Sequence, residues 1–210
     1  MKSKPIFATL FLLTLSVLCY VLFIQKKTSN SHDATTETKN EITFGELNPN
    51  APPETLQFGQ LVGQWDCTSY DLLPDSTWHK SKAKWVFKYT LDGYAIEDTW
   101  TEKVTDSTNN TITLGRDFNG INMRLFNPQL EKWQCIWLDN RKNTMSPIWQ
   151  ANYNSSSEEI VMHDESLNWK ITFYNISANS FDWNYKVLRD STWTILSKIK
   201  GKKVTVNNSL

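Results

Sequence analysis

Ala83-Lys84-Trp85-Val86-Phe87-Lys88-Tyr89 puts small or aromatic residues at every odd position and lysines at two of the even ones. Side chains of a strand alternate between faces with a period of two, so this segment has one apolar face and one wet face. Similar segments recur to the end of the chain, with ten tryptophans among them. Short strands at regular spacing with tight turns make a sandwich or a barrel. Consecutive short connections favour a meander that removes its edges by closing. The expected fold is therefore all-β: a single antiparallel up-and-down β-barrel of about eight to ten strands with a short N-terminal helix.

Strands are predicted over 64–71, 78–90, 93–103, 110–118, 121–127, 132–139, 146–153, 158–164, 168–174, 181–187 and 192–200. Turn chemistry separates them, as at Leu91-Asp92-Gly93, Asn119-Gly120, Asn127-Pro128 and Arg189-Asp190-Ser191. The helix is predicted over 53–63, where Phe58, Leu61 and Val62 share a face and Gly63 suits the stop; Gly59 weakens it. Asp-Ser-Thr-Trp occurs at 75–78 and again at 190–193, each time leading from a turn into a strand.

Not all 210 residues can share one core. Pro5 to Ile24 carries no charge, with Lys2 and Lys4 before it and Lys26 and Lys27 after it. A helix of that length spans about 30 Å, a bilayer core. The run is long for a cleavable signal and lacks a small-x-small site. A lipoprotein reading would use Cys19, but Leu18 precedes it where a small residue is expected. The expectation is a single-pass signal-anchor at 1–27, a polar disordered linker at 28–53, the barrel domain at 54–203 and a flexible tail at 204–210. The amino terminus with Lys2 and Lys4 slightly outweighs Lys26 and Lys27, which places the domain outside the cytoplasm, periplasmic or extracellular.

Lys+Arg and Asp+Glu number 22 each, and this balance argues against a nucleic-acid partner. Lys80, Lys82, Lys84 and Lys88 form one cluster, and Lys198, Lys200, Lys202 and Lys203 another. They read either as a solvated face that blocks edge pairing or as a basic docking patch. Cys67 and Cys135 either pair in an oxidising compartment or remain buried thiols. No Cys/His metal spacing occurs, nor a Gly-x-Ser-x-Gly, His-Glu-x-x-His or phosphate-loop motif, so neither a metal nor a cofactor is called for. His79 and the His163-Asp164-Glu165 turn read as surface features.

Leu61-Val62-Gly63-Gln64-Trp65 resembles the Gly-x-Trp opening of lipocalin-like proteins. The later order is more specific. Gly93 to Trp100 is followed by Met123 to Pro128, then Trp133-x-x-x-Trp137-Leu138-Asp139, then Trp169 to Phe173 with Ser180-Phe181-Asp182-Trp183. This series resembles a large bacterial family of calycin-like barrel domains with no settled function. The resemblance covers roughly residues 56–200 and implies a barrel with an interior cavity; it brings no catalytic residues. The nitrobindin-like haem barrels share Gly63-x-Trp65, but the glycines of their signature are missing after it. Their late histidine ligand has no easy match either, since His163 comes too early.

Strand parity nominates the interior. Trp85 and Phe87 share one face, as do Asp98 and Trp100, Arg124 and Phe126, and Trp137 and Asp139, with Trp149 from a later strand. A buried arginine must be paired, so Arg124 is expected inside the barrel against Asp98 or Asp139. That arrangement reads as a structural salt bridge or as the anchor for a polar head group. The candidate ligand-binding set is Trp85, Phe87, Asp98, Trp100, Arg124, Trp137, Asp139 and Trp149. The leading expectation is a carrier, scavenger or sensor for a small apolar or amphipathic molecule, with the membrane reached through residues 5–24. The alternatives are a cavity enzyme catalysing an isomerisation or hydration, with Asp98 or Asp139 as base, and a solid-core structural module.

Overall fold

The structure, a computed structural model, describes residues 45–103 and 117–205. The expected anchor, most of the linker, most of the tail and most of the predicted 110–118 strand lie outside those residues. Among the described residues no helix is long and apolar enough to cross a membrane.

A single-turn helix, α1 (Thr55–Gly59), leads into ten strands: β1 (Gly63–Leu72), β2 (Trp78–Thr90), β3 (Ala95–Glu102), β4 (Phe118–Asn127), β5 (Lys132–Asp139), β6 (Trp149–Asn154), β7 (Glu159–His163), β8 (Trp169–Tyr174), β9 (Ser180–Arg189) and β10 (Thr192–Lys203). Each strand pairs antiparallel with its neighbour in sequence, and β1 pairs with β10 to close the barrel. The odd positions of β2 enter the core as the alternation requires: Ala83, Trp85, Phe87 and Tyr89 are buried while Lys80, Lys82 and Lys84 are exposed.

The turns follow their side chains. Asp190 and Ser191 both take positive φ between β9 and β10, the geometry that matches strand twist in a two-residue hairpin. Asn127, Asp139 and Asn154 each accept backbone N–H bonds from residues two and three positions on, which fixes the bends after β4, β5 and β6.

Two local expectations need correction. The helix is shorter than 53–63; residues 60–62 continue it as turns, with Leu61 N–H to Phe58 and Val62 N–H to Gly59. Gly59 has a packing reason, since a Cβ there would meet the hydroxyl of Tyr89. Asn119-Gly120 is no turn. Both residues lie inside β4, opposite Thr101 and Trp100 of β3. A Cβ at Gly120 would collide with the Trp137 ring, so this glycine makes room for an aromatic side chain from the next strand.

Candidate functional site

One end of the barrel is plugged. Phe58 of α1 packs edge-on against Trp133, with ring centroids 4.8 Å apart, and lies near Phe173 at 6.2 Å. Trp65 Nε1 donates to the Leu61 carbonyl at 2.7 Å, and Trp133 Nε1 donates to Gln57 Oε1 at 2.9 Å. The helix and the turn after it thus supply both the apolar plug and the acceptors that two buried indoles require.

Arg124 sits against the inner side of this plug. It is fully buried, and its guanidinium carbon lies 4.7 Å from the Phe58 ring centroid and 5.6 Å from that of Phe87. Its Nη1 pairs directly with Asp98 Oδ2. The other oxygen of Asp98 accepts from Trp85 Nε1 at 2.6 Å. Burial pushes the Asp98 carboxyl above its ordinary value, against the opposing pull of the Arg124 charge and the Trp85 N–H. Register selects Asp98 over Asp139 as the partner. Asp98 faces Asn122, two residues from Arg124 on the same side of β4. Arg124 faces Cys135, which puts Asp139 four residues further along β5, roughly 13 Å away.

Beyond Arg124 the interior opens into a cavity of about 260 Å³. Trp85, Trp100, Trp137, Trp149 and Trp183 form much of its wall, and Asn122 and Arg124 stand at its inner edge. Asn122 Oδ1 and Arg124 Nε are buried there without a hydrogen-bond partner. At the outer rim Arg141 stacks 3.6 Å from the Phe118 ring centroid, with its Nη2 3.9 Å from Glu102.

A second chamber of about 400 Å³ adjoins the first and shares Trp137, Trp149 and Ile171 with it. Its cause is visible in the pairing. β5 and β6 share only three register pairs, Trp133 to Cys135 against Ala151 to Trp149, and past them the two strands separate. The 140–148 loop covers the gap, held by Ser146 N–H to the Trp137 carbonyl at 2.8 Å. A wider depression of about 750 Å³ lies at the helix end, between the 50–57 segment and Phe126, Trp133 and Ala151, and none of the candidate residues lines it.

Of the eight candidates, Trp85, Trp100, Arg124, Trp137 and Trp149 line the interior cavity. Phe87 does not; it packs into the plug against Phe173 and Phe181. Asp98 is fully buried behind Arg124 and outside the cavity wall. Asp139 belongs to the second chamber and the bend after β5. Desolvation acts upward on its carboxyl, but the Lys142 and Arg141 N–H groups and the Trp137 indole outweigh it and hold the carboxyl below its ordinary value. Asn122, Met162, Trp183 and Ser197 also line the cavity and were not among the candidates. Trp183 shares parity with buried Phe181, the same signal that found the others.

Cys67 and Cys135 are buried free thiols, and burial pushes each up to about 12. No group of three metal-ligating side chains occurs among the described residues.

No protein-family model and no curated protein matches the chain. Solved structures do. Rv2717c from M. tuberculosis superposes with a TM-score of 0.51 at 7% identity, over 74% of this chain and 100% of that one. The S-type phycobiliprotein lyase CPES from Guillardia theta gives 0.49 at 8% identity, over 73% of this chain and 98% of that one. At such identities the likeness is one of fold: the described residues form a closed barrel of ten antiparallel strands with calycin-like architecture.

Proposed function

We infer that this barrel binds a small apolar or amphipathic molecule, as a carrier, scavenger or sensor. The observation that carries this reading is the tryptophan-walled cavity with unpartnered polar atoms of Asn122 and Arg124 at its inner edge. An apolar pocket with a few convergent polar groups is the usual form of a ligand site. At about 260 Å³ the interior lies just under the ~300 Å³ at which small-molecule sites begin, so the ligand is compact or extends past Trp137 into the second chamber.

The enzyme reading loses its proposed bases. Asp98 is held by Arg124 and Trp85, away from the cavity wall. Asp139 accepts from an indole and two backbone N–H groups, which makes it a weak base. The domain is further proposed to be tethered to a membrane through residues 5–24 and to face away from the cytoplasm. A mature protein starting beyond residue 24 in the soluble fraction would overturn that tether.

Binding is tested by native mass spectrometry of the purified protein and by titration with an environment-sensitive naphthylamine dye. A co-purifying molecule or saturable dye binding is expected, with either one lost in Ser197→Trp, which fills the rim. A protein that carries nothing and gives no saturable dye signal sinks the reading.

A further inference from the structure

Closure of the barrel joins two groups of lysines more than a hundred residues apart in sequence. The outward residues of β1 are Asp66, Thr68 and Tyr70. On one side they lie opposite Lys84, Lys82 and Lys80 of β2, and on the other opposite Lys202, Lys200 and Lys198 of β10. With strands about 4.8 Å apart and alternate residues about 6.8 Å apart, the six lysines occupy a grid about 10 Å wide and 14 Å long. Five of the six are exposed. None of the six is ion-paired among the described residues. Asp66 is the one acid on the middle strand's outward row. Asp182 faces Lys200 from β9 but accepts from Asn175 at 2.8 Å.

Edge protection does not account for this grid. β1, β2 and β10 each have a hydrogen-bonded neighbour on both sides, so there is no edge to block. Composition does not account for it either, because the chain is formally neutral. Like charges spaced on the order of a Debye length, about 8 Å, repel one another, and among the described residues Asp66 is the one acid set between the two lysine rows.

Aromatic side chains stand among the lysines. Lys198 Nζ lies 3.8 Å from the ring centroid of Trp78, which is 40% exposed, and Lys80 lies over Tyr70 at 5.9 Å. Trp193, at the start of β10, is 38% exposed beneath Lys170. The two Asp-Ser-Thr-Trp turns thus place one exposed tryptophan each at the same end of neighbouring outer surfaces. Lysine mixed with tryptophan and tyrosine suits the headgroup layer of a bilayer. The face is the outer side of three paired strands, whereas a nucleic-acid strand is tracked by a channel.

We propose that the outer face of β2, β1 and β10 docks on an anionic lipid surface. The proposal is independent of what the cavity binds and of whether residues 5–24 anchor the chain. Each lysine near an anionic bilayer strengthens association about fivefold, and the effect is screened by salt.

The test is amine-reactive footprinting of the full chain, read by mass spectrometry. The protein is added to vesicles of phosphatidylcholine alone or with phosphatidylglycerol. Labelling of the six grid lysines is expected to slow several-fold on the anionic vesicles and recover in high salt, while Lys103 and Lys142 stay unchanged. Lys82→Glu with Lys200→Glu should abolish the protection of the remaining four while leaving dye binding in the cavity intact. Equal labelling of the grid on both vesicles overturns the proposal. So does protection by duplex DNA without protection by anionic lipid, which would make the face a nucleic-acid surface.

Discussion

At the helix end, Phe58, Phe87, Trp133 and Phe173 are each at most 1% exposed, and the Trp133 indole has a protein acceptor. At the cavity end, Trp137, Trp149 and Trp183 are only partly buried, and the rim carries Glu102, Arg141 and Ser197. Both ends use inward aromatic residues on the same strands. The difference is that α1 and the turn after it fill one end with Phe58 and Leu61, whereas at the other end β5 and β6 separate and, among the described residues, no helix covers the cavity. Burial is therefore densest at the plug, and the cavity lies where packing is incomplete. Arg124 and Asp98 mark the border between the two.

The largest effect expected at that border comes from Arg124→Met. It leaves the Asp98 carboxylate buried beside one indole donor, and loss of one partner of a buried pair costs about 3–5 kcal/mol. Arg124→Met with Asp98→Asn should recover most of that loss in urea unfolding, since neither charge is then stranded. A double variant as unstable as the single one would show that packing, not charge, holds the border. An unperturbed single variant would mean that the pair contributes nothing to the plug.

Two glycines separate the ends of the barrel at a smaller scale. A Cβ at Gly201 would lie 2.5 Å from the ring of Phe181, which is buried among Trp65, Trp85 and Phe173. A Cβ at Gly120 would meet the ring of Trp137, which is partly exposed beside the cavity. Gly201→Ala should cost about 1–3 kcal/mol, because the ring has nowhere to go. Gly120→Ala should cost less than about 1 kcal/mol in stability but displace Trp137 and weaken dye binding. The reverse ranking would contradict the claim that the cavity end is the compliant one.

The sequence carried the faces but not the heights. Alternation alone puts Trp85, Asp98, Arg124 and Trp137 inside the barrel, and closure follows from ten strands with short connections wherever the chain is described. Parity is silent on position along the barrel axis. It therefore left Asp98 and Asp139 as equal partners for Arg124, and it set Phe87 beside Trp85 in the cavity when Phe87 lies one step deeper, in the plug. Asn119-Gly120 misled for a different reason. Asn-Gly is strong local turn chemistry, but here a glycine is needed inside a strand because a tryptophan from the neighbouring strand lies over it, and that demand comes from β5. The basic surface was visible only as two separate clusters, since their meeting depends on the β1–β10 pairing.

The smallest effect concerns the bend after β5. Asp139 accepts from the Trp137 indole at 2.8 Å and from the N–H groups of Arg141 and Lys142, both also at 2.8 Å. These donors hold its carboxyl below the ordinary value despite some desolvation. A carboxyl lowered in the folded state stabilises fully above its unfolded value and loses that contribution as pH falls through the folded one. Asp139→Asn should therefore lower stability by under about 1 kcal/mol at neutral pH, the scale of partly exposed charge interactions. The gap from wild type should close below about pH 4, near the ordinary aspartate value. Hydrogen exchange should locate the loosening in residues 137–146 and leave α1 and β8 protected. If Asp139→Asn instead destabilises the barrel as much as Arg124→Met, the cavity end is as integral to the fold as the plug, and the division between them fails.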